Sequence, residues 1–278
     1  MTTHLEGAVA AHYGRPGLLD TILAGLRAAG ADPDHPTPED LAPVDEFHTA
    51  GRATTLWALS MLPLAAGMHV LDAGCGIGGT ARTLATHYRC RATGLDLTPD
   101  YVETARALTG RMGLSSVCDF HHGSVTQMPF RDGAFDAAVT LHVAMNVADR
   151  DAFYGELARV LAPGAPLCLF DVMKGPGDGM RYPVPWAETP DTSVLHTPAE
   201  TRMLLDAAGL SVTAEDNLRA FAIEFFRVAF ARAQAAGGPP PLGLHQLTGA
   251  NAAEKFANYL AALEDHQIEP VMMVARRG

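Results

Sequence analysis

The sequence predicts an α/β fold built on a doubly wound sheet. Three observations carry that expectation. Apolar strands alternate with amphipathic helices from about 64 to 171, a glycine-rich turn closes the first strand, and helix-start signals stand where crossovers must begin. In chain order, residues 1–63 read as helical, broken by the proline-rich Asp32-Pro33-Asp34-His35-Pro36-Thr37-Pro38. The apolar run at 68–73 reads as the first strand, with a helix over 77–87 behind its turn. Strands follow near 89–95, 117–122, 134–141 and 165–172, with helices near 99–112 and 149–161. Thr98-Pro99-Asp100 starts a helix well: a hydroxyl cap, proline at the first helical position, and an acid in the first turn. Thr197-Pro198-Ala199-Glu200 is a capping box, and its helix stops at Gly209.

Two more strands fit 210–216 and 270–276, giving seven, the last antiparallel. The whole is a Rossmann-like, mostly parallel sheet with helices on both faces. Residues 218–267 interrupt the pattern before the last strand. Phe221, Phe225, Phe226 and Phe230 mark their first half, and Phe256, Tyr259, Leu260 and Leu263 the second, around Gly237-Gly238-Pro239-Pro240-Pro241. The expected organisation is a helical N-terminal cap at 1–63 and a sheet domain at 64–278 with a helical lid insertion at 218–267. Both helical pieces are placed to cover the carboxyl edge of the sheet, where ligands of such folds bind.

Composition excludes several classes. At 278 residues and 48% hydrophobic content, the chain has enough material for one large domain or two small ones. No apolar run approaches the ~20 residues that span a bilayer. Met1-Thr2-Thr3-His4-Leu5-Glu6 lacks the basic stretch and apolar core of a signal peptide. Cys75, Cys90, Cys118 and Cys168 have no metal-ligand spacing and read as reduced, buried thiols, so a cytoplasmic location is expected. A net charge of −11 without a basic cluster argues against nucleic acid or a membrane surface as partner. The twelve histidines form no H-x-x-x-H pair, so no metal site is expected. The expected partner is a small molecule, and the expected state a monomer or homodimer.

The most informative stretch is Val70-Leu71-Asp72-Ala73-Gly74-Cys75-Gly76-Ile77-Gly78-Gly79. Such a turn lets a ligand meet bare backbone at a helix N-terminus. It fits two patterns at once. Gly74, Gly76 and Gly79 spell the dinucleotide fingerprint, whereas Asp72, Gly74, Gly76 and Gly78 spell the acid-x-G-x-G-x-G of S-adenosylmethionine users. Asp96, 22 residues past Gly74 at the end of the second strand, can accept hydrogen bonds from both ribose hydroxyls of either cofactor. The third and fourth elements discriminate: His122-Gly123-Ser124-Val125-Thr126-Gln127-Met128-Pro129-Phe130 before the fourth strand, and Glu156 to Gly164 running a helix into the fifth.

With these four elements in order, residues 64 to 175 resemble the class I S-adenosylmethionine-dependent methyltransferases. The resemblance implies that Gly74, Gly76 and Gly78 approach the methionine and ribose parts of the cofactor, beside Asp72 and Cys75. It implies that Asp96 holds the ribose and Leu97 packs on adenine. Ser124 and Val125 stand where the family usually has Asp-Ala beside the adenine amino group. Asp45 to Thr55 is similar to a segment of the sarcosine/dimethylglycine and phosphoethanolamine methyltransferase branch, which nominates Thr49 and Gly51 for the methionine end and makes His48 a neighbour. Tyr13 matches by position a tyrosine that closes over the methyl in that branch. Tyr182-Pro183-Val184-Pro185-Trp186-Ala187 is also similar to it, with Trp186 as a pocket wall.

Methyl transfer from a sulfonium needs alignment, a dry site, and a base only if the nucleophile arrives protonated. Candidates therefore follow the fourth strand, in Thr140-Leu141-His142-Val143-Ala144-Met145-Asn146-Val147. Leu141 and His142 stand at the strand end beside the cofactor. His142 is the one side chain there with a near-neutral ordinary pKa, so it is the candidate base. Asn146 shares its face if the segment is helical, and then orients a nucleophile. The branch carries an acid and then a histidine at these places, so its amine acceptors do not carry over. Phe221, Phe225, Phe226, Trp186 and His245 are expected to line an apolar acceptor pocket. The leading reading is methyl transfer to oxygen, nitrogen or carbon of a small molecule. The alternatives are a nicotinamide oxidoreductase and a non-catalytic S-adenosylmethionine-binding regulatory or accessory protein.

Overall fold

The computed structural model describes residues 2–278, with side chains from residue 4. Four helices precede the sheet: α1 (Thr2–Tyr13), α2 (Leu18–Ala28), α3 (Pro38–Asp45) and α4 (Arg52–Ser60). The proline-rich break ends in a capping box, in which Thr37 takes the Asp40 N–H and Asp40 answers to the Thr37 N–H at 2.9 Å. The alternating region follows as β1 (His69–Ala73), α5 (Gly79–Tyr88), β2 (Arg91–Asp96), α6 (Pro99–Arg111), β3 (Cys118–His122), β4 (Ala137–Leu141), α7 (Arg150–Val160) and β5 (Pro166–Lys174). Then come α8 (Pro198–Ala207), β6 (Leu210–Asn217), α9 (Arg219–Ala235), α10 (His245–Thr248), α11 (Ala252–Glu264) and β7 (Ile268–Arg277).

The strands form one seven-stranded sheet in the order β3-β2-β1-β4-β5-β7-β6. β3, β2, β1, β4 and β5 pair in parallel, and β7 runs antiparallel to both β5 and β6. All seven expected strands form. Two starts move inward for local reasons. Arg89 ends α5 in the left-handed region at φ 57°, which delays β2 to Arg91. Phe135 makes only an isolated bridge to Leu161, so β4 begins at Ala137.

The strand order reverses at β1 and β4, opening a crevice beyond their carboxyl ends. Helices α4, α5 and α6 bury Leu59, Leu84 and Val102 against one face of the sheet. On the other face, α7 and α8 bury Phe153, Leu157 and Leu205. The inserted helices do not pack as a separate body. Leu242 and Leu247 join Ile22, Leu26 and Leu41 of α2 and α3, while Phe226, Tyr259 and Leu263 close on Met145 and Trp186. Cap and insertion therefore meet over the crevice and share one core. No helix among the described residues is long and apolar enough to cross a membrane.

Candidate active site

The floor of the site is the turn after β1. Gly74 sits at φ 82°, and a Cβ there would lie 2.2 Å from Val143 Cγ2. Only glycine lets β1 and the segment after β4 approach so closely. The N–H groups of Gly74 and Cys75 both donate to Leu95 O, at 2.7 and 3.0 Å, which ties the turn to β2. Asp96, the last residue of β2, accepts from the Gly76 N–H through Oδ2 and from the Thr98 N–H through Oδ1, each at 2.8 Å. Burial pushes its carboxyl pKa up while those N–H groups pull it back. Gly76, at φ 53°, has nothing within 4 Å of the place a Cβ would take, so its outer face is open.

That open face looks into a cavity of about 370 Å³. Thr49, Gly51, Asp72, Gly74, Cys75, Gly76, Asp96, Leu97, Ser124, Val125, Leu141, His142, Tyr13 and Asn146 all line it. Gly78 does not. It precedes α5 at φ 87°, where a Cβ would strike the Phe120 ring at 2.7 Å, so its work is to let the helix start against β3.

The segment after β4 is a 3-10 turn over Ala144–Asn146, not an α-helix, so His142 and Asn146 do not share a helical face. Asp171 of β5 shapes that turn, its Oδ1 accepting from the N–H groups of Val143 (2.7 Å) and Ala144 (3.0 Å). Burial pushes the Asp171 carboxyl up to about 7. His142 stands at φ 55° with its ring beside Phe170 (4.8 Å between centroids) and His48 (5.9 Å), and its Nε2 has no partner. Burial, then the charge of His48, hold the His142 imidazole well below its usual range, so it is neutral near pH 7.

Asn146 is fully engaged by the protein. Its Oδ1 accepts from Tyr13 OH at 2.8 Å, and its Nδ2 donates to the carbonyls of Trp186 and Thr192, both at 2.9 Å. It therefore fixes the tyrosine and the 186–192 loop and has no donor left for a nucleophile. Burial keeps the Tyr13 phenol protonated, which suits its role as donor.

His48 lies in a nest of polar groups, with Nε2 3.1 Å from Glu46 Oε2 and 2.8 Å from Thr55 Oγ1. Thr49 shares a 2.6 Å hydrogen bond with Tyr259 OH, joining the segment before α4 to α11. Ser124 donates to Glu6 of α1 at 2.5 Å. A fully buried Lys255 on α11 pairs with Glu188 at 2.5 Å and donates to Thr248 O at 3.0 Å.

Of the expected acceptor wall, Trp186, Phe225 and Phe226 line the cavity and the other two residues do not. Phe221 is 42% exposed and packs edge-on against Trp57 at the surface, and His245, at the start of α10, is not part of the lining. The sequence reading missed Glu6, Glu46, Tyr101 and Leu247 as lining residues. Glu46 falls inside the Asp45 to Thr55 segment, but nothing in the local pattern marks it. Among the described residues no cluster of His, Cys, Asp or Glu could hold a metal ion.

Residues 71–169 match the family model described as a methyltransferase domain. The chain carries the class I methyltransferase fold. Phosphoethanolamine N-methyltransferase 2 of Haemonchus contortus, solved with S-adenosyl-L-methionine, superposes with a TM-score of 0.71 at 16% identity, over 84% of this chain and 54% of that one. The [4+2]-cyclase SpnF gives 0.64 at 25% identity, over 81% and 80%. Ajmaline N-methyltransferase of Rauvolfia serpentina is 37% identical over 101 residues, 36% of this chain and 35% of that one. That match spans about a third of the relative's length, and the 71–169 match to the methyltransferase domain contains the glycine turn, Asp96 and His142.

Proposed function

We propose that this chain transfers a methyl group from S-adenosylmethionine to a small-molecule acceptor. One observation carries the reading: the Asp96 carboxylate, the open face of Gly76 and the unpartnered nitrogen of His142 share one cavity. When bound, the cofactor supplies an electrophilic methyl on a positively charged sulfur. Asp96 is suited to hold the ribose hydroxyls, exchanging its present N–H contact with Gly76 for them. Leu97 would offer an apolar surface to adenine, and Ser124 and Val125, which line the same cavity, would meet its amino edge. Asp72, Cys75, Thr49, Gly51 and Leu141 line the same cavity and would hold the methionine end.

His142 is the base of this reading. Its unpartnered Nε2 is free to accept the proton that an acceptor hydroxyl or amine loses. The burial that keeps the ring neutral also disfavours the imidazolium, so the proton is passed on rather than held. Tyr13, held by Asn146, walls the acceptor space, and Trp186, Phe225, Phe226, Phe256 and Tyr259 keep water from it. Residues 1–63 act as the cap of this domain and 218–267 as its lid. Four buried free thiols suit a reducing, cytoplasmic setting.

The test is incubation with labelled S-adenosylmethionine and a panel of phenols, carboxylic acids and amines. Label in one class supports transfer. Tight binding of the cofactor with no label transferred and no S-adenosylhomocysteine formed would favour the second reading, a protein that binds the cofactor without turning it over. The likeness to a [4+2]-cyclase shows that this fold also serves reactions other than methyl transfer, so the fold alone does not decide turnover.

A further inference from the structure

Two buried carboxylates in the cavity wall are only half used. Glu46, between α3 and α4, turns Oε2 to His48 Nε2 (3.1 Å), Thr55 Oγ1 (2.9 Å) and Thr80 Oγ1 (3.3 Å). Its Oε1 is buried with no partner. Asp72, near the end of β1, leaves Oδ2 in the same condition. The two residues are 3% and 2% exposed, and both line the cavity beside the glycine turn. A bare carboxylate oxygen in a dry wall is costly until a donor or a cation reaches it.

We infer that Glu46 and Asp72 together receive the positively charged end of the cofactor, and that its arrival expels one proton from the pair. Two carboxyls sharing a buried site do not both stay ionised without a counter-charge. Glu46 is the one that keeps its charge. Burial pushes it up, but the hydrogen bonds and charge of His48, with the Thr55 hydroxyl and Arg82, bring it below its ordinary value. Asp72 is the one that holds the proton. Burial, then the charges of Glu46 and Asp96, push it up to about 8, against the weaker pull of the Ala81 N–H and Arg82. Arg82 itself is engaged by Asp45 at 2.5 Å, and the neighbouring Cys75 thiol is pushed up and stays neutral. A sulfonium or ammonium in front of the pair favours the ionised form, so Asp72 gives its proton to solvent and the cation takes its place.

This rests on the cavity taking S-adenosylmethionine, and adds a residue and a proton to that reading. The test is calorimetry at pH 7 in two buffers of different ionisation enthalpy. Binding is expected to release about 0.9 proton, the fraction held by a group titrating at about 8. Adenosine, which offers its ribose to Asp96 but no positive charge, is expected to release none. Asp72→Asn matches the protonated acid in shape, so it is expected to melt like the parent near pH 6.5 and to bind the cofactor more weakly, with no proton release. Glu46→Gln lowers the release, because Asp72 then holds less proton at rest. Cofactor binding with no buffer dependence, equal release by adenosine, or full release in Asp72→Asn would each overturn the inference. Failure of S-adenosylmethionine to bind at all would instead remove the proposed function.

Discussion

The glycine turn after β1 and the helical roof above it enclose the same cavity but are held there by different means. In the turn, backbone meets backbone: Gly74 and Cys75 hang from one carbonyl of β2, and Gly74 has no room for a methyl group against Val143. In the roof, single side-chain contacts do the holding: Thr49 with Tyr259, Tyr13 with Asn146, Lys255 with Glu188. A floor fixed by main chain changes little without unfolding, whereas a roof fixed by separate side chains can be rebuilt one contact at a time. That difference suits a constant ligand below and a variable one above, and the match to a methyltransferase domain over 71–169 covers the floor.

The comparison breaks most visibly at Gly74. Gly74→Ala places a carbon 2.2 Å from Val143 at φ 82°, and is expected to cost about 3 kcal/mol or more of stability, read by thermal melting. Gly76→Ala has open space in front of it, so it should melt closer to the parent while obstructing cofactor binding. Equal melting of the two variants would mean that the floor is not rigid. Next in size is His142→Ala, expected to lower turnover about a hundredfold once an acceptor is known. Undiminished turnover removes His142 from the chemistry.

In the roof, Thr49→Val deletes one buried hydrogen bond and leaves the Tyr259 hydroxyl unpaired, a loss of about 1–2 kcal/mol. Acceptor KM should rise, and cofactor affinity should fall less, because the Thr49 hydroxyl is spent on Tyr259 although its segment borders the methionine end. An equal loss of cofactor affinity would tie roof and floor together more closely than their contacts suggest. The smallest effect is pH dependence. Asp72 and Asp171 titrate at about 8 and about 7 when folded, well above their unfolded value, so the native state binds more protons and loses stability as pH rises. Histidines held low by burial, His142 among them, act oppositely below about 6.5, their unfolded value. The ligand-free melting temperature should therefore fall by a few degrees, roughly, between pH 6.5 and 8. Asp72→Asn should flatten that slope, and a slope unchanged by the substitution would show that Asp72 carries no proton.

The same division governs what the sequence made legible. Strands and floor residues are contiguous in the chain: a buried run, a glycine turn and Asp96 at the next strand end need no knowledge of distant packing. The roof is assembled across long separations. Thr49 and Tyr259 lie at opposite ends of the chain, and neither neighbourhood signals the other. In α9, phenylalanines at 221, 225, 226 and 230 spread round the helix, so spacing alone could not say that Phe226 turns inward and Phe221 outward. Asn146 lies at the expected place, but its amide is consumed by Tyr13, Trp186 and Thr192, a fact that depends entirely on tertiary contacts. Glu46 escaped notice because a glutamate between two short helices looks solvated until the fold buries it.

The most direct test of a cofactor floor beneath an acceptor roof is calorimetric titration of the parent, Asp96→Ala and His142→Ala with S-adenosylmethionine. Loss of the Asp96 carboxylate should weaken binding about tenfold or more, and loss of the His142 ring should leave affinity nearly intact. Equal affinity for the parent and Asp96→Ala, or loss in the His142→Ala variant alone, would contradict it.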